Sequence, residues 1–70
     1  MKKPVVHFSS RKHSGNIFWI LGAARVELQK QQRITDYNNM WERVQASGSY
    51  EEALAEIRKE IDLIDDDGLY

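Results

Sequence analysis

The chain has no cysteine, one proline and four glycines among its 70 residues. Without cysteine there is no disulfide to staple a small core and no thiolate to hold a metal, which fits a reducing compartment. Long apolar runs are missing too. The longest is Ile17 to Leu21, whereas a membrane-spanning helix needs roughly 20 apolar residues. The opening Met1-Lys2-Lys3-Pro4-Val5-Val6-His7 carries charge but no apolar stretch behind it, which argues against a signal peptide. These absences predict a soluble, cytoplasmic protein with no membrane partner. Acids are absent from the first 26 residues, which hold Lys2, Lys3, Arg11, Lys12 and Arg25, while residues 51–70 hold eight acids against Arg58 and Lys59. The net charge of −1 thus conceals a basic head and an acidic tail. Either the head meets a phosphate-bearing partner, or head and tail attract each other within or between subunits.

A chain this short buries only about 60% of the surface that its unfolded form exposes, and small domains without staples lean on oligomerisation. Residues 3–9, with β-branched Val5 and Val6 followed by Phe8, read as a strand, and Pro4 sits where a strand start tolerates it. A lone strand must pair. Its partner is either the tail segment 61–64 or its own copy in a second subunit.

Asn16, or Ser14 as second choice, is the expected N-cap of a first helix over 17–32. Ile17, Ile20, Leu21, Ala24 and Leu28 follow helical spacing, but Phe18, Trp19 and Val26 add apolar surface on other sides. A helix apolar nearly all round must be covered nearly all round, so Phe18 or Trp19 is expected at a subunit interface. Gly22 inside this helix suggests close approach by another helix or a ligand. A second helix over 35–46 buries Tyr37, Met40, Trp41 and Val44, and Gly48 is the expected left-handed stop. Ser49-Tyr50-Glu51-Glu52 matches a capping box. The third helix is placed over 50–64, with Ala53, Leu54, Ile57, Ile61 and Ile64 inward, and the acidic tail 65–70 is expected to fray. The predicted fold is α+β: one short N-terminal strand followed by three helices in a small, single, oligomeric domain.

The basic loop 10–16, with Ser9 before it, carries the most chemistry: Ser9-Ser10-Arg11-Lys12-His13-Ser14-Gly15-Asn16. Free amides at a helix start beside two cations are the local chemistry of an anion site. Arg11 can grip two phosphate oxygens, Lys12 or His13 can add a point charge, and the amides from Ser14 through Gly15 and Asn16 to Ile17 can hold the remaining oxygens. Phe18 and Trp19 would supply apolar walls or stack on a base. The spacing does not match the phosphate loop of nucleoside triphosphatases, and the alternative is a solvated turn whose Ser and Asn merely cap the helix. His7 and His13 lack a third ligand for a metal. Ser14 beside His13 has neither a positioned base nor a nucleophile elbow. Catalytic residues, metals and cofactors are therefore not expected. Helices two and three around Gly48 resemble a helix-turn-helix only in outline, since Glu51, Glu52, Glu56 and Glu60 would repel duplex DNA.

The run Gly15-Asn16-Ile17-Phe18-x-x-Leu21-Gly22-x-Ala24, with Ala46-Ser47-Gly48-Ser49-Tyr50-x-Glu52-Ala53-Leu54, resembles a group of short, functionally uncharacterised proteins of bacteriophages, prophages and plasmids. The similarity spans about residues 13–64 and implies a mobile-element origin. Relatives often continue after Ala53-Leu54 with a glycine-broken, strand-forming tail, where this chain reads Ala55-Glu56-Ile57-Arg58-Lys59-Glu60. Small phage proteins often act in counter-defence by stoichiometric binding, an analogy that weighs only as such. The sequence thus leads to a non-enzymatic homo-oligomer that sequesters an anionic small molecule such as a signalling nucleotide. The alternative is an inhibitor or adaptor that turns an acidic, aromatic surface on a host protein.

Overall fold

Val5-Val6-His7-Phe8 form a strand because alternate side chains can face a core and the preceding Pro4 needs only its carbonyl. In the computed structural model, which describes residues 3–70, this strand β1 (Val5–Phe8) is followed by a single 3-10 turn at His13–Gly15. Then come α1 (Ile17–Lys30), α2 (Ile34–Ala46), α3 (Tyr50–Ile57) and β2 (Asp62–Asp65). β1 and β2 pair in parallel, with Val5 opposite Asp62 and Phe8 opposite Asp65. The Asp62 amide donates to the Pro4 carbonyl at 2.9 Å and the Asp66 amide to the Phe8 carbonyl at 2.8 Å. A parallel pair needs a long crossover, and all three helices supply it. The chain is the α+β domain that its sequence predicts, with a second strand added.

Strand alternation buries Val6, Phe8 and Leu63 and leaves Val5, His7 and Ile64 exposed. The buried face rests on Ile20, Leu28, Met40, Leu54, Ile57 and Ile61, each fully covered. The third helix ends at Ile57 rather than continuing to residue 64. Ile61 still reaches the core from a turn, its amide bonded to the Ile57 carbonyl at 2.9 Å. Ile64, expected inward, lies on the outer sheet face. Helix spacing and the turn place Ile61 equally well, and no glycine or proline marks the break, which is why the sequence overextends α3.

The helix ends follow local chemistry. Asn16 caps α1, its side-chain oxygen accepting the Phe18 amide at 2.8 Å. Ser49 caps α3 by accepting the Glu52 amide at 3.1 Å, and the Glu52 carboxylate reaches back to the Gly48 amide at 2.8 Å. Gly48 is not the left-handed stop; α2 ends on Ser47 in extended conformation. The left-handed residue is Gln32, with φ 58°. It closes α1 with paired bonds, Gln32 amide to Gln29 carbonyl at 3.0 Å and Arg33 amide to Leu28 carbonyl at 2.8 Å, the two-bond signature of a Schellman motif.

Because glycine adopts this conformation without steric cost, Gln32→Gly should raise stability by about 0.5–1 kcal/mol. Ile57→Ala should cost about 2–5 kcal/mol, a large share of the roughly 4–10 kcal/mol available to a chain of this size. Urea denaturation of the two variants measures both changes.

Candidate functional site

The basic loop folds into a tight knot. The Lys12 amide donates to the Ser9 carbonyl at 3.0 Å, the Gly15 amide to Lys12 at 2.9 Å and the Asn16 amide to His13 at 3.0 Å. Ser14 turns inward, and its hydroxyl oxygen accepts the Ser9 amide at 2.9 Å. Gly15 is required by proximity: a Cβ there would stand 2.6 Å from the Ser9 carbonyl oxygen and 2.8 Å from Ser10 Cα. Tyr50 of α3 locks the knot by donating its hydroxyl to the Gly15 carbonyl at 2.6 Å.

The acidic tail occupies the donors at the start of the loop, on Ser9, Ser10 and Arg11. Asp65 accepts the Ser10 amide at 3.1 Å and the Ser10 hydroxyl at 2.8 Å. The same carboxylate also takes the amides of Asp67, Leu69 and Tyr70 at 2.9–3.0 Å. Asp67 accepts the Ser9 hydroxyl and, at 2.9 Å, the Arg11 amide. Asp66 pairs with His7 at 2.9 Å. The tail expected to fray is tied down, and head and tail attract within one chain. Partial desolvation pushes the Asp65 carboxyl up most strongly of any single influence, yet the hydrogen bonds from Ser10, Asp67 and Tyr70 together hold it well below the usual carboxylate range. Asp67 is held low chiefly by the Ser9 hydroxyl and the Arg11 amide. Burial, aided by Asp65 and Tyr70, raises the Tyr50 phenol, so it keeps its proton for Gly15.

Arg11, Lys12 and His13 project from this knot, all exposed. Their side chains make no hydrogen bond among the described residues, and Asp65 and Asp67 lie against the backbone at Ser10 and Arg11. The amides of Gly15 and Asn16, assigned by sequence to a phosphate, close the turn instead. The Asp65 and Asp67 carboxylates are thus seated against the start of the loop, where they act as a structural clamp. Among the described residues no group of three or more His, Asp or Glu could hold a metal ion, and no helix is long and apolar enough to cross a membrane.

Phe18 and Trp19, by contrast, stand open: Phe18 is 69% and Trp19 40% exposed. Phe18 borders a hollow of about 460 Å³ between the start of α1, α2 and the α2–α3 turn, lined by Ile17, Leu21, Trp41, Tyr50 and Ala53. Gln45, Ser47 and Ser49 form its polar rim. A second hollow of about 480 Å³ lies between α2 and α3. Its cations Arg43 and Lys59 face Glu56, at 3.7 Å and 2.6 Å, so its charge is internally balanced. Arg33 and Arg43 also neutralise Glu60. Glu56 of α3 and Glu60 beyond its end are therefore spent inside the chain, while Glu51 stays exposed.

The sequence reading missed the clamp and Tyr50. The run Asp65-Asp66-Asp67-Gly68 held the signal, because aspartate bonding to amides two residues on, followed by glycine, is Asx-turn chemistry. Gly68 does take φ 70° there. Comparison with protein-family models, with curated proteins and with solved structures finds no match to the chain.

A carboxyl whose pKa is depressed by folding contributes stability above its unfolded value, near 4, and loses it as pH falls toward the folded value. Stability should therefore be flat from pH 7 to about 5 and decline below about 4, with the amides of Ser10, Arg11, Leu69 and Tyr70 losing exchange protection first. Amide exchange followed by NMR during acid titration checks this, and Asp65→Asn should show the same loosening at neutral pH. Gly15→Ala should cost about 1–3 kcal/mol through the clash with Ser9, readable as a lowered Tm.

Proposed function

We propose that this protein is a non-catalytic binding module that seats apolar side chains of a partner protein in the hollow between α1, α2 and α3. The observation that carries the reading is Phe18, a largely exposed aromatic ring at the mouth of a hollow floored by Leu21, Trp41 and Tyr50. Large exposed apolar surface beside a concave aromatic floor is the common anatomy of a protein-binding hot spot. The rim offers neutral donors and acceptors, and exposed Glu42 and Glu51 directly follow Trp41 and Tyr50 in the chain. A segment with apolar anchors flanked by Lys or Arg complements that rim.

Stoichiometric occupation of a host protein suits a short phage-type chain, the origin that its Gly15 to Ala24 run resembles. For the nucleotide-sequestering reading, the tail carboxylates take the Ser10 and Arg11 donors, and the Gly15 and Asn16 amides close the turn. What would remain for it is the pair of exposed cations, Arg11 and Lys12.

Titration with a panel of short peptides, read by tryptophan emission and calorimetry, separates the two. Peptides with aromatic or aliphatic anchors between basic residues should bind with a dissociation constant on the order of micromolar, and Phe18→Ser should weaken them about tenfold or more, roughly 1.4 kcal/mol. Binding heat with nucleotides that Arg11→Ala and Lys12→Ala abolish, with none from any peptide, would overturn the proposal.

A further inference from the structure

The two-stranded sheet has one edge that the chain covers and one that it leaves open. In a parallel ladder alternate residues of each strand bond to the partner strand. The Asp62 amide meets the Pro4 carbonyl and the Asp66 amide the Phe8 carbonyl, and Val6 pairs with Leu63. Val6 and Phe8 therefore bond to β2, while Val5 and His7 turn their amides and carbonyls the other way. None of those four groups has a hydrogen-bond partner among the described residues. The outer edge of β2 differs. Arg58 reaches the Leu63 carbonyl with Nε and Nη2, both at 3.4 Å, and the Gly68 amide donates to the Asp65 carbonyl at 3.0 Å. On β1 such cover begins only at Ser9, whose amide goes to the Ser14 hydroxyl and whose carbonyl takes the Lys12 amide.

We infer that the outer edge of β1 receives an extended, acidic segment of a partner protein as a third strand of the sheet. A segment laid along Val5 and His7 satisfies all four free groups with main-chain bonds. One of its side chains comes to lie beside Val5, which is 50% exposed and shares the outer sheet face with Ile64 at 43%, so an apolar residue fits there. The call for acid comes from the end of the edge. The Lys12 amide closes on Ser9, which plants Arg11, Lys12 and His13, all exposed, where the added strand passes. Lys3, before the strand, is also exposed and bonds only to the Arg58 carbonyl among the described residues. Carboxylates on the incoming segment answer these cations. The same charges count against a second copy of β1. The two-fold register that satisfies all four groups on each copy sets Val5 opposite His7, so Lys3 lies opposite Ser9, with Arg11 and Lys12 of the other copy just beyond. Like charges then meet at both ends. Residues 3 to 9 span about 20 Å as a strand, room for a segment of about seven residues.

NMR of the whole chain, titrated with a blocked seven-residue peptide that alternates valine and threonine between an aspartate at each end, tests the inference. The Val5 and His7 amides should shift and exchange with solvent at least tenfold more slowly, with a dissociation constant on the order of 100 micromolar. The same peptide methylated at every backbone nitrogen keeps its side chains, loses its donors and should not bind. A counterpart with lysine in place of both aspartates should bind at least tenfold more weakly, and combining Arg11→Ala with Lys12→Ala should shrink that gap to about threefold or less. Unmoved Val5 and His7 amides at millimolar peptide, or equal binding by the methylated or the lysine-ended peptide, would overturn the inference. So would protection of the two amides that grows with the concentration of the chain alone, which assigns the edge to a second copy. Phe18→Ser should leave the Val5 and His7 shifts unchanged, so this inference and the proposed function fail separately.

Discussion

A single carboxylate organises the end of this fold. Asp65 ends β2 and receives the amide and hydroxyl of Ser10 together with three amides of its own tail. Without those acceptors the turn after β1 would leave donors unmet, and the last residues would have no reason to fold back. With them, the tail lies beside Tyr50, whose ring meets Tyr70 edge-on at 5.1 Å. Arg58 completes the wrap by donating to the Tyr70 carbonyl at 3.0 Å. Acids of the tail thus hold the head's backbone, and Arg33 and Arg43 pair with Glu56 and Glu60, while Arg11, Lys12 and Arg25 make no ion pair among the described residues.

That internal pairing is what moves the functional reading away from charge and toward aromatic surface. Arg11 and Lys12 remain in solvent, while the Ser10 and Arg11 amides go to tail carboxylates and the Gly15 and Asn16 amides to the turn itself. What α1 leaves uncovered is apolar. Phe18, Trp19 and Val26 emerge from a helix whose opposite side already fills the core. A chain of this size has few helices with which to cover them.

Much of the scaffold was legible because it rests on local chemistry. The Asn16 and Ser49 caps, the three helices and the buried stripe of α1 follow from spacing and hydrogen-bonding side chains, whereas in α2 Met40 and Val44 are buried but Tyr37 and Trp41 only half-covered. The strand partner was legible only as a demand, since β1 needed one and residues 61–64 were among the options. Helix spacing from Ile57 to Ile61 hid the turn between α3 and β2. Gly48 misled because a glycine after a helix is usually its left-handed stop, and here Gln32 takes that role at a different helix. The hollow was illegible as such: its floor joins Leu21, Trp41 and Tyr50, which only three-helix packing brings together. The exposure of Phe18 and Trp19, by contrast, was readable from a helix apolar on too many sides.

The parallel register sets Val5 beside Asp62, so the two strands bracket nearly the whole described chain. Such a contact order makes the sheet the last part to assemble: the helices can nucleate locally, while β1 waits with bare edges until its distant partner has been synthesised. During that interval the growing chain exposes Val6 and Phe8 on an unpaired strand. Its polar neighbours, Lys3 before it and the Ser-Ser-Arg-Lys run after it, then act as gatekeepers against misassociation. The loop that the tail clamps in the finished molecule thereby serves the nascent one.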